Sequence, residues 1–224
     1  MSIGSRSSRF GWCWQWAIWV CLAGLFALTA PPSASACLNA VELSRKRANR
    51  VASEAEKALA AGDPQRARNL LIAVFGSREP LEFPSPAVQR NLTQLYAIAC
   101  MRVGNAKSVA HAVDVLREQS KSEPKNPLLK VRLAEALLHQ APASKEALVI
   151  LEPLEKQDLI VDAEGYATLA RLRKASGDSQ GANLALSRCR AMAKQESICS
   201  DAPLAQTSTL DCPLTALAQV DWML

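Results

Sequence analysis

Apolar positions recur at helical spacing along most of the chain, and helix-breaking residues punctuate them at regular intervals. Asn39 and Glu42 stand three residues apart, as in a capping box, and predict a helix start. The helix that follows puts Ala48, Val51, Ala52, Ala55, Ala58 and Leu59 on one face and Lys46, Arg47 and Arg50 on the other. Gly62 ends it. Asp63-Pro64 then reads as N-cap and first helical residue, and Gly76 closes that second helix. Residues 77–86, with Pro80, Pro84 and Pro86, read as a loop. Ser85-Pro86 opens a helix that runs to Gly104, and Asn126-Pro127 opens another. Asp162 caps one that stops before Gly177, and Asp178 caps the last long helix, which ends near Glu196. No stretch alternates apolar and polar residues as a strand does. The pattern predicts an all-α chain.

The helices also repeat. Ala-x-x-x-Leu recurs at Ala67/Leu71, Ala112/Leu116, Ala147/Leu151 and Ala182/Leu186, so successive alanines are 45, 35 and 35 residues apart. The preceding helices carry a matching small residue at Ala55, Ala97, Ala134 and Ala170, with Tyr96, Leu133 and Leu169 before the last three. Gly62-Asp63, Gly104-Asn105 and Gly177-Asp178 punctuate the helix pairs, and Pro124 closes one. Over residues 48–195 this pattern resembles the tetratricopeptide repeat (TPR), a helix pair of about 34 residues with small residues where helices touch. Glu54 and Arg173 depart from it, standing where a large apolar residue and an aromatic are expected. The resemblance implies a helix-turn-helix solenoid of about four pairs over 37–196, with 197–224 as a tail able to cap its end. A plain helical bundle with the same amphipathic faces is the alternative.

The first 36 residues read apart from this domain. Arg6 and Arg9 precede an apolar run from Trp16 to Ala30, and Pro31-Pro32 and Ser33-Ala34-Ser35-Ala36 follow. A basic start, a short apolar core and an A-x-A ending predict a secretory signal peptide. A membrane helix is the competing reading, but a span needs ~20 apolar residues. The expected location is therefore the bacterial periplasm or the outer membrane. Cleavage after Ala36 leaves 24 Lys and Arg against 21 Asp and Glu, a balance too even for a nucleic-acid partner.

Cys37, Cys100, Cys189, Cys199 and Cys212 remain in the exported chain. Export favours pairing, and the odd number leaves one over. Cys199 and Cys212 bracket a short polar segment and are expected to pair. Cys100 and Cys189 face the helix interior, with Cys100 expected to stay reduced. Cys37 is either a lipidated first residue or the first residue after ordinary cleavage. Ala34 stands three places before it, where lipid-attachment sites carry Leu, so ordinary cleavage is favoured. Lipid on Cys37 would be the chain's one membrane attachment, and Lys46, Arg47 and Arg50 would then lie near anionic headgroups.

Catalytic chemistry has little footing. His111 and His139 lie on different helices, without acidic partners near in sequence, and read as surface or interface residues. The chain lacks C-x-x-C, H-E-x-x-H and glycine-rich phosphate loops, and no metal or cofactor is expected. Asn91-Leu92-Thr93 matches a glycosylation sequon but sits inside a predicted helix. The repeat resemblance instead implies a concave groove, lined by the first helix of each pair, that receives a peptide or protein. Mapped onto this sequence, it would display Gln94, Ile98, Met101 and Arg102, then Leu128, Val131, Glu135 and Leu138, then Arg171 and Lys174. An exported protein-binding adaptor or scaffold is the function expected, with a structural or assembly subunit of an envelope complex as the alternative.

Both export routes cut after Ala36, so Cys37 is the expected first residue. Intact-mass and N-terminal peptide analysis of protein from its native host checks this and reads any lipid directly. A different first residue would refute the processing scheme.

Overall fold

The computed structural model describes residues 34–75, 85–103 and 106–200, with side chains from residue 42 onward. The signal segment, the side chain of Cys37, Gly76, Gly104-Asn105 and the tail with Cys212 lie outside the described residues. The chain divides into two compact units, Met1–Leu43 and Ser44–Leu224, and the contacts given below all lie within the second.

Among the described residues all regular structure is helical: α1 (Ala34–Ala60), α2 (Pro64–Phe75), α3 (Pro86–Val103), α4 (Ala106–Ser122), α5 (Pro127–Gln140), α6 (Lys145–Lys156), α7 (Ala163–Ala175) and α8 (Ser179–Met192). A short 3-10 turn follows at Glu196–Cys199. No helix among the described residues is long and apolar enough to cross a membrane.

The caps account for these boundaries. Asp63 accepts from the Arg66 N–H at 3.0 Å, and the Ser85 hydroxyl accepts from Val88 N–H at 3.3 Å. The side chains of Asn126, Asp162 and Asp178 accept from N–H groups in the first turns of α5, α7 and α8. Each satisfies a donor that a helix start leaves orphaned. At the other ends, Gly62 and Gly177 adopt φ of +71° and +89°, the left-handed conformation that a non-glycine residue resists. The start of α1 differs from expectation. The helix begins at Ala34, so Asn39 lies inside it. Ala34, Ala36 and Ala40 favour helix and extend it upstream of the capping box. Pro153 is tolerated inside α6, which ends only three residues later at Lys156.

Consecutive helices from α2 to α8 pack against one another, and α3 also packs on α5 and α5 on α7. Small residues sit at these contacts. Ala55, Ala67, Ala97, Ala112, Ala134 and Ala147 are completely buried, and Ala170 and Ala182 nearly so. Tyr96, Leu71, Leu116, Leu151 and Leu169 fill the spaces between them. Gly165 permits a still closer approach of α7 to α5: a Cβ there would meet Val131 Cγ1 at 2.9 Å and Ile160 Cγ2 at 2.7 Å.

Ala147 has no room to grow. Ala147→Leu is expected to destabilise the fold by about 1–3 kcal/mol through overpacking, read as a lower midpoint in urea. A leucine introduced instead at Asn183, next to buried Ala182 but on the exposed side of α8, should leave the midpoint in place. Equal midpoints for both variants would mean that Ala147 does not sit at a tight helix contact.

Candidate functional site

A cleft of about 320 Å³ opens beside α3, α5 and α7. Arg102 from α3, Glu135 and His139 from α5, and Glu164, Thr168 and Arg171 from α7 form its floor and walls. Leu59, Gly62 and Pro64 border it from the turn between α1 and α2, and Gln195, Ser197 and Ile198 from the C-terminal segment.

A chain of buried ion pairs underlies the cleft. Arg102 donates from Nε and Nη2 to the two oxygens of Glu135, at 2.7 and 3.1 Å. Arg132, one turn before Glu135 on α5, donates to Glu135 Oε2 at 3.1 Å and to the carboxylate of Asp162, the N-cap of α7. Burial alone would raise the pKa of Glu135, but the guanidiniums of Arg102 and Arg132 outweigh it and hold the group at about 2. Arg102 is held charged in turn: burial opposes its charge, and Glu135, Glu164 and Asp162 more than compensate. His139 is pushed the other way. Burial, reinforced by Arg102 and Arg171, lowers its pKa, while Glu135 works to raise it.

The structure brings together only part of the expected groove. Arg102, Glu135 and Arg171 line the cleft, Gln94 and Leu128 are half-buried, and Lys174 is exposed. The apolar anchors are corrected. Ile98, Met101, Val131 and Leu138 keep 5, 1, 1 and 3 % of their surface, so none of them presents contact area to a partner. The reason is packing: α5 is held by α3, α4, α6 and α7 at once, which leaves little of its circumference open. Glu135 is equally a buried member of an ion chain and no displayed carboxylate.

His139 does have an acidic neighbour: Glu135 precedes it by four residues, a spacing that places the two on one helix face. Arg173, the departure from the repeat pattern, has its own task. It ion-pairs with Glu155 of α6 and donates to the Gly181 carbonyl of α8 at 3.3 Å, joining three helices where an aromatic is expected.

The C-terminal segment is the largest feature that sequence reasoning missed. After Met192 the chain turns back and its 3-10 turn packs on α7 and α8. Arg171 Nη2 donates to the Ser200 carbonyl at 3.1 Å, and Ile198 packs against the core. A Cβ on Gly62 would lie 3.7 Å from the Gln195 side-chain oxygen, so the segment reaches the turn between α1 and α2. Cys189 and Cys199 are joined, with their Cα atoms 5.9 Å apart. The expected Cys199–Cys212 bond is thereby overturned, because the reversal at Met192 returns Cys199 to the helix it has just left. A ring of this size contributes roughly 3 kcal/mol by restricting the unfolded chain. Cys100 is disulfide-bonded as well, which corrects the expectation that it stays reduced.

Among the described residues no group of three or more His, Cys, Asp or Glu is arranged to hold a metal ion. In comparison with known proteins, the chain matches no family model, no curated protein and no solved structure.

The depressed pKa of Glu135 fixes a pH dependence. Its folded value of about 2 lies below the ordinary 4.5, so its stabilisation is complete above pH 4.5 and is lost as pH falls towards 2. Glu135→Gln should cost about 3–5 kcal/mol at pH 7 by leaving the buried Arg102 guanidinium without its carboxylate, while Arg132 keeps Asp162. It should also flatten the stability–pH curve between those two values. Urea titrations of both proteins from pH 7 to pH 2 measure this, and parallel curves would contradict the buried ion chain.

Proposed function

We propose that this protein is a non-enzymatic adaptor or scaffold of the bacterial cell envelope, exported by its N-terminal segment. In this reading the helix pairs form a TPR-like solenoid whose first-helix side receives a segment of a protein or peptide partner. The cleft between α3, α5, α7 and the C-terminal segment carries the proposal. Its wall already holds a piece of polypeptide: Arg171 donates to the Ser200 carbonyl, and Ile198 sits against the core beside it. Such a wall has the hydrogen-bond donors that an incoming chain needs.

Within that cleft Glu135 belongs to the ion chain and is no general base. A general base working at neutral pH needs a pKa near 7, and Glu135 at about 2, locked between two guanidiniums, is far from that. Arg171 and Lys174 lie along the last turns of α7 and give that end of the face positive charge, which suits an acidic segment.

A second reading, a structural or assembly subunit of an envelope complex, draws on the exposed apolar side chains. Val149, Val161 and Leu184 keep 71, 60 and 54 % of their surface. A subunit of this kind would self-associate or precipitate when isolated, whereas an adaptor would stay monomeric in a sizing column.

Arg171→Glu combined with Lys174→Glu reverses the charge of the first-helix side near its C-terminal end. The double variant should keep its helical circular dichroism and lose capture of an acidic partner several-fold, and raised salt should imitate the loss. Pull-downs from an envelope fraction that are unchanged by the double variant, but fail when Lys46, Arg47 and Arg50 are neutralised, would move the binding site to α1.

A further inference from the structure

A second groove involves α5 again, with α4 and α6 in place of α3 and α7. It runs between the end of α4, the start of α5 and the length of α6, and encloses about 640 Å³. Val149 and Leu159 form an apolar floor, 71 and 38 % exposed. Arg117, Lys121, Lys125 and Lys130 stand around it, and no Asp or Glu lines it. Two of these cations have carboxylate neighbours on the rim, Arg117 with Glu146 at 3.0 Å and Lys121 with Glu118 at 3.4 Å. Lys125 and Lys130 have no ion pair among the described residues. The groove therefore combines exposed apolar surface with uncompensated positive charge.

We propose that this groove docks an acidic amphipathic helix of a partner protein. Charge decides the sign of the occupant: a carboxylate-bearing segment is drawn towards Lys125 and Lys130, and a basic one is repelled. Backbone chemistry decides its form. The walls are mostly helical, and helices present no open strand edge to which an extended segment could add. A helix brings its backbone hydrogen bonds with it and needs only apolar anchors, which Val149 and Leu159 can receive. The cleft on α3, α5 and α7 differs on both counts, since its basic groups are interleaved with Glu135 and Glu164 and its own tail borders it. The two surfaces would bind independently.

The test uses the intact protein and two fluorescent synthetic peptides of about 15 residues, with leucines at helical i, i+3/i+4 and i+7 positions. One carries Glu at its remaining positions and the other Lys. Fluorescence anisotropy should show binding of the Glu peptide and none of the Lys peptide. Lys125→Glu with Lys130→Glu, and separately Val149→Asp, should weaken binding by about tenfold, with circular dichroism unchanged because these side chains are not core residues. Arg171→Glu with Lys174→Glu should leave it intact, which separates this surface from the first-helix cleft. Failure of the Glu peptide to bind, equal binding of both peptides, or full binding by the Lys125/Lys130 variant would overturn the proposal. So would binding to phosphatidylglycerol vesicles that is lost in the Lys125/Lys130 variant, with no binding of the Glu peptide, which assigns the groove to a lipid surface. Self-association abolished by Val149→Asp would overturn it too, in favour of a second copy.

Discussion

Glu135 is the carboxylate on which the arrangement of the first helices turns. It sits in α5, takes two hydrogen bonds from Arg102 of α3, and shares Arg132 with the N-cap of α7. Taking these charges out of water costs several kcal/mol for each ion, and the cost is offset only when every partner is in place. An apolar cluster could fill the same volume in several ways. The ion chain accepts one: α3, α5 and the start of α7 must arrive in a single register, with Gly165 allowing the last of them to come close. The small residues set how near the helices can approach, and the ion chain sets which residues face each other when they do.

The helices themselves were legible because their signals are local. Asp63-Pro64, Ser85-Pro86, Asn126-Pro127, Asp162 and Asp178 act within one turn of their own position, and each caps the helix that the sequence pattern has it open. The Ala-x-x-x-Leu repeat was equally readable, since a residue that must be small leaves its mark in the sequence. The alanines it picks out, with their counterparts on the first helices, are buried, six of them completely.

The site was less legible, and for a physical reason. Assigning Ile98, Met101, Val131 and Leu138 to an open face assumes that first helices are covered on one side only, whereas α5 has four neighbouring helices. Periodicity reports that a face is apolar and cannot say how many elements will press on it. Leu128 stays half-buried on these helices, and what they present to the cleft is mostly polar: Arg102, Glu135, His139, Glu164, Thr168 and Arg171. The path of the tail was hidden likewise. A short polar stretch after a helix carries no instruction to reverse, and the bond that fixes the reversal needs a partner ten residues back, inside a helix where a cysteine reads as core.

That reversal changes what the first-helix side can accept. Ser197 and Ile198 lie where an incoming segment would extend, and the Cys189–Cys199 bond keeps them there with both cysteines buried. The cleft is thus already shortened at one end, bounded by Gln195 and the turn at Gly62. Displacing the segment would mean giving up the Arg171 hydrogen bond and re-exposing Ile198, with the disulfide still holding its far end. Binding beside the segment loses neither contact. In the proposed adaptor, the wall formed by the protein's own tail would be part of the binding surface and would favour short occupants over long ones by the space it has taken.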